Sequence, residues 1–80
     1  MPESPLQPLT SLALGATAKV AAINVAAADK SRLMEMGLLV GTQVELVRFA
    51  PLGDPVEIKV RGYNLTLRKH EAELILVKPK

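Results

Sequence analysis

The side chains with the chemistry of a metal site cluster at one point of the chain. His70, Glu71 and Glu73 are the metal-ligand types found close together. Transition-metal sites built from such ligands commonly draw on two histidines and a carboxylate, and this chain has one histidine. An exposed polar turn is the simpler expectation for these three residues, with no resident metal and no cofactor. Cysteine is absent, which removes disulfides, thiolate metal sites and cysteine nucleophiles together. Ser11 and Ser31 have no base at a recognisable spacing, so no nucleophilic triad can be assembled. The glycines at 15, 37, 41, 53 and 62 are scattered and form no phosphate-binding loop. The expectation is a protein that is not an enzyme.

Two further groups could bind a partner. Met34 and Met36 are two apart on a predicted helix and face different ways, so they are not a soft-ligand pair. With Leu33 and Leu38 they form an apolar group around the end of that helix, the expected partner-binding surface. Core filling is the favoured role for Leu33 and Met36. The second group is the outward face of a predicted hairpin: Glu57, Lys59, Arg61, Asn64, Thr66 and Arg68, continued by Lys69. A solvated sheet face is the simpler expectation for it; as a docking surface, its basic members Lys59, Arg61, Arg68 and Lys69 would suit an acidic partner. Nucleic acid is not expected. Phe49 and Tyr63 are the whole aromatic complement, and net charge is only +2. The same shortage argues against an aromatic-lined groove for proline-rich peptides.

The elements that must position these groups belong to one small domain. The chain has 80 residues, 49% hydrophobic and 22% charged, with 24 Leu, Val and Ile, so the core must be aliphatic. Met1 to Leu12 has three prolines and no basic residue, unlike a secretory signal. The longest apolar run, Val20 to Ala28, contains Asn24 and falls far short of the ~20 residues of a membrane span. A cytoplasmic protein without membrane insertion is expected.

Residues 1–10 read as a mobile Pro-rich tail and residues 11–80 as the domain. A strand is expected over about 19–25. A helix follows over about 29–36, capped by Asp29 and stopped by Gly37. Thr42 to Phe49 reads as a strand whose inward face slips between Leu46 and Val47, the mark of a bend or bulge. Pro51 and Gly53 suit the second and fourth positions of a turn. Val56 to Val60 and Leu65 to Leu67 alternate as a hairpin. A type II′ turn at Gly62-Tyr63 would pair Arg61 with Asn64, Val60 with Leu65, Ile58 with Leu67 and Glu57 with Arg68. Lys69 to Glu73 is a short helical turn and Leu74 to Val77 a last strand. Five short strands with edges to hide predict a small closed barrel.

Three runs in register resemble the ferrous-iron-transport accessory protein A (FeoA) family. They are Arg32-Leu33-Met34-Glu35-Met36-Gly37-Leu38-Leu39-Val40-Gly41-Thr42, then Ala50-Pro51-Leu52-Gly53-Asp54-Pro55-Val56, then Arg61-Gly62 with Leu65-Thr66-Leu67-Arg68-Lys69 and Glu71-Ala72. Val40 stands where the family commonly has proline. The resemblance implies a mainly β, SH3-like five-stranded β-barrel, with one α-helix inserted after the first strand and a short helical turn before the last. It implies an accessory role in bacterial ferrous iron uptake. The partner would be the ferrous iron permease of FeoB type, which carries a cytoplasmic GTPase domain, met at the inner face of the membrane. A related barrel ends some metal-dependent repressors, so a transcriptional-regulatory module and a weakly self-associating module are the alternatives.

Overall fold

The computed structural model describes residues 6–79. Six strands and two helices follow one another along the chain. They are β1 (Gln7–Pro8), a 3-10 turn (Leu9–Ser11), β2 (Thr17–Ile23), α1 (Ala27–Glu35), β3 (Gln43–Phe49), β4 (Val56–Val60), β5 (Tyr63–Leu67), α2 (Lys69–Glu73) and β6 (Ile75–Pro79). The strands form one antiparallel sheet in the order β1-β6-β2-β3-β4-β5.

The expected closed five-stranded barrel is corrected to a six-stranded sheet with two edges. Among the described residues β1 and β5, the outer strands, do not pair with each other. The sixth strand comes from the stretch expected to be a tail. Gln7 lies opposite Val77 and Pro8 opposite Leu76, and Leu9 is fully buried. Proline is as much at home on a sheet edge, where its missing N–H is not needed, as in a tail. The tail boundary at residue 10 therefore falls inside the domain; residues 1–5 lie outside the described residues.

The buried side chains are all aliphatic apart from Thr42 and Glu71. Two bulges bend the sheet around them. In β3 the register shifts between Leu46 and Arg48, so Val44 and Leu46 face inward before the bulge and Phe49 packs on the core after it. This is the predicted slip. A second bulge lies between Val20 and Ala22 of β2, moving the buried set from Ala18 and Val20 to Ile23 and Val25.

The hairpin turn is one position earlier than expected. Arg61 and Gly62 both have positive φ, 53° and 89°. That is the type I′ geometry, whose twist matches the flanking strands. Val60 pairs with Tyr63, Ile58 with Leu65 and Val56 with Leu67. Either register sets Leu65 and Leu67 opposite aliphatic residues of β4, so alternation alone could not separate them.

α1 begins two residues before the expected start. Ala26 is its N-cap, with no side-chain cap, and Asp29 sits within the first turn. Alanines at 26–28 have enough helix propensity to extend it without a polar cap. The far end closes as predicted. Gly37 N–H donates to the Met34 carbonyl (3.0 Å) and Leu38 N–H to the Leu33 carbonyl (3.0 Å), a Schellman ending that turns Leu38 into the core. The Met36 carbonyl accepts from the Tyr63 hydroxyl, tying α1 to the hairpin tip.

Gly37 is thus constrained twice. Its φ is 96°, and a Cβ there would lie 2.6 Å from the Tyr63 hydroxyl oxygen. Gly37→Ala is expected to lose about 1–2 kcal/mol through the backbone alone and ~1 kcal/mol more by displacing that hydrogen bond. In a Tyr63→Phe background the second part disappears. Urea unfolding of the two single variants and the double variant reads this coupling directly.

Candidate functional site

α2 starts where β5 ends, and its first turn builds the polar centre of the molecule. Glu71 occupies the third helical position, and its Oε1 accepts from the Arg68 backbone N–H (3.2 Å), one half of a capping box. Its other oxygen accepts from the Arg32 guanidinium of α1. Arg32 also lies 4.0 Å from Asp29 one turn earlier. Glu71 is 2% exposed, so this carboxylate is a structural clasp between the two helices rather than a surface acid.

The metal-ligand candidates separate here. Asp29, His70 and Glu71 bring a ligand atom each to within 4.8 Å of one another, and Glu73 stands outside this group. Asp29 was not foreseen; it is remote in sequence, and only the packing of α1 against α2 brings it in. The group borders an open cleft of about 750 Å³, lined also by Arg32, Asp54, Thr66 and Arg68. Arg32 already neutralises the two carboxylates, and both oxygens of Glu71 have donors. A cation would have to displace the guanidinium first. The Ser11 hydroxyl donates to the Pro8 carbonyl (2.6 Å) and accepts from Gln7 (2.8 Å), and no base is among its hydrogen-bond partners in the described residues.

The partner-binding group also divides. Leu33 and Leu38 are fully buried and belong to the core, so they are withdrawn from the expected surface. Met36 is half-buried against that core, and Met34 is 44% exposed on the outer side of α1. The cause is the Schellman turn, which fixes Leu38 inward. The basic face does not form one patch either. Lys59 and Arg61 border a groove of about 440 Å³ at the hairpin tip, whereas Arg68 borders the larger cleft at the other end of β5, beside Lys69. Between them Glu57 accepts from Arg48 (2.9 Å) and Asn64 (2.6 Å), which neutralises the middle of the hairpin.

The family model of the FeoA domain matches residues 7–79. A curated relative from Porphyromonas gingivalis, an Fe(2+) transport protein A/Fe(2+) transporter FeoB fusion protein, is 33% identical over 69 residues. Those residues are 86% of this chain and 8% of the fusion, so the chain spans a small fraction of that relative's length. The solution structure of FeoA from Chlorobium tepidum is 41% identical, with a TM-score of 0.88 over 91% of this chain and 70% of that one. FeoA from Stenotrophomonas maltophilia, complexed with zinc and described as an SH3 domain protein, is 28% identical. Its TM-score is 0.74, over 92% of this chain and 95% of that one.

Two outcomes follow from the clasp. Glu71→Ala is expected to destabilise the fold by about 2 kcal/mol, because the Arg68 N–H and the Arg32 guanidinium both lose a charged acceptor. Asp29→Ala should change stability by no more than about 0.5 kcal/mol. Thermal or urea unfolding compares them. In anaerobic calorimetry with Fe(II), the wild-type chain should show no tight stoichiometric binding, and Arg32→Gln should strengthen whatever binding exists by freeing the carboxylates.

Proposed function

The chain belongs to the FeoA family, and we propose that it serves bacterial ferrous iron uptake as a non-enzymatic accessory protein, docking on the cytoplasmic side of a FeoB-type permease. One observation carries this: the relative in which a FeoA segment and a FeoB transporter are a single polypeptide. Fusion holds two partners at high effective concentration, and it is useful where the separate proteins act together. The zinc-complexed relative, put forward as a ferrous iron transport activating factor, points the same way. No helix among the described residues is long and apolar enough to cross a membrane.

The clasped Glu71 favours an adaptor over an iron carrier. The exposed side of α1, centred on Met34, is the apolar part of the docking surface, and an exposed methionine adapts readily to a partner. Arg68 and Lys69 supply the charged part. Leu33 is excluded, since a charge there would unfold the core.

Wild-type chain should co-purify with the detergent-solubilised permease of the same cell, and Met34→Glu should lose that association while its circular dichroism stays unchanged. Retention by Met34→Glu would remove α1 from the docking surface. No association by a folded wild type, with or without guanine nucleotide, would overturn the accessory reading.

A further inference from the structure

The two edges of the sheet are not equivalent. β1 is two residues long and ends in proline, which blunts it against further pairing. β5 runs for five residues with no proline, no bulge and no inward charge. Its two-residue turn makes Val60 and Tyr63 a hydrogen-bonded pair, and likewise Ile58 with Leu65 and Val56 with Leu67. The intervening residues, Asn64 and Thr66, therefore aim their N–H and C=O groups away from β4. No backbone partner meets them among the described residues.

The edge is also framed by charge. Residues 61–69 contain Arg61, Arg68 and Lys69 and no acid. The neighbouring acids are engaged: Glu71 by Arg32, Asp29 across the cleft by the same guanidinium at 4.0 Å, Glu57 by Arg48 and Asn64, and Asp54 by the Lys69 N–H at 3.1 Å. No carboxylate lies within ion-pair distance of Arg61 or Arg68 among the described residues. Glu71 holds the Arg68 N–H, so the open edge ends there. Beside it the C-terminal turn of α1 is tied to Glu71 through Arg32 and to Tyr63 through the Met36 carbonyl, and Thr66, Leu67 and Arg68 line a cleft with Asp29 and Arg32 of the same helix.

We propose that the outer edge of β5 is a strand-addition site for an extended acidic segment of the partner protein, which pairs with Asn64 and Thr66 as a seventh strand and sets its carboxylates against Arg61 and Arg68. Main-chain hydrogen bonds supply the affinity and the flanking arginines choose the sign of charge. This deepens the accessory reading and rests on it, the segment being part of the permease.

The main chain can be tested without disturbing the hairpin. Thr66→Pro deletes the outward N–H and no β4–β5 bond, while Thr66→Ala deletes the side chain and keeps the N–H. The probes are the solubilised permease and short overlapping synthetic peptides covering its cytoplasmic segments. An acidic peptide should bind wild type and Thr66→Ala alike, weaken about tenfold or more with Thr66→Pro, and weaken with added salt. In the complex, the wild-type Asn64 and Thr66 amides should gain protection from hydrogen exchange, a readout that does not depend on the proline variant folding. Permease binding with these amides unprotected, or peptide binding undiminished in a folded Thr66→Pro, would overturn the proposal alone. A dimer in light scattering that Thr66→Pro abolishes would overturn it too, by giving the edge to a second copy. Failure of the wild type to bind either probe would overturn both this site and the accessory reading.

Discussion

A chain of 80 residues with no cysteine has to enclose an aliphatic core with one sheet. A flat sheet of such short strands covers one face of a layer and leaves the other wet. The bulges in β2 and β3 resolve this. Each inserts one residue, sharpens the twist and changes which side chains face inward. The inward set of β2 becomes Ala18 and Val20, then Ile23 and Val25; that of β3 becomes Val44 and Leu46, then Phe49. One strand thereby serves two walls of the same core. Leu9 from the β1 end and Leu33 and Leu38 from α1 fill what the strands leave open.

The fixing of α1 decides which surfaces remain for other molecules. α1 contributes one fully buried side chain of its own, Leu33, so packing alone is a thin anchor. Polar ties complete it: Glu71 to Arg32, and Tyr63 to the Met36 carbonyl. Both ties reach from α1 to the flanks of β5. The helix is therefore held beside the edge without pairing with it, and the Glu71 carboxylate that could have served a cation is spent on the clasp.

Much of this was legible in the residues, and the failures have physical causes. The Schellman ending at Gly37, the Ala50–Gly53 turn and the bulge in β3 were readable because each rests on local chemistry: a glycine with positive φ, a proline at the second turn position, a break in alternation. The same break exists in β2, at Ala21-Ala22, but alanine is too small and too neutral to mark a face. The hairpin register was ambiguous because shifting the turn by one residue preserves aliphatic pairing; the left-handed conformation of Arg61 settles it, and arginine carries no signal for that. β1 was hidden by its prolines. In the candidate site, His70 and Glu71 were visible as residue types, whereas the Arg32 clasp and the nearness of Asp29 depend on tertiary packing across some forty positions.

The division of the apolar group around α1 has a consequence for function. Leu33 and Leu38 enter the expected contact surface because apolar residues around the helix end outnumber one buried stripe, although core filling is the favoured role for Leu33. The Schellman turn removes the surplus by rotating Leu38 inward; Met34 stays exposed on α1, Val40 stays exposed after it, and elsewhere the outer strand β5 has an unpaired edge. Such a surface is poor in hydrophobic area, and burying it would favour a reversible contact over a permanent one. Specificity then has to come from directional groups, the arginines at the two ends of β5 and the backbone between them. The accessory role proposed above, in which the chain engages and leaves a transporter, needs that balance. An iron carrier would need an unobstructed ligand set, and in this chain Arg32 stands in its place.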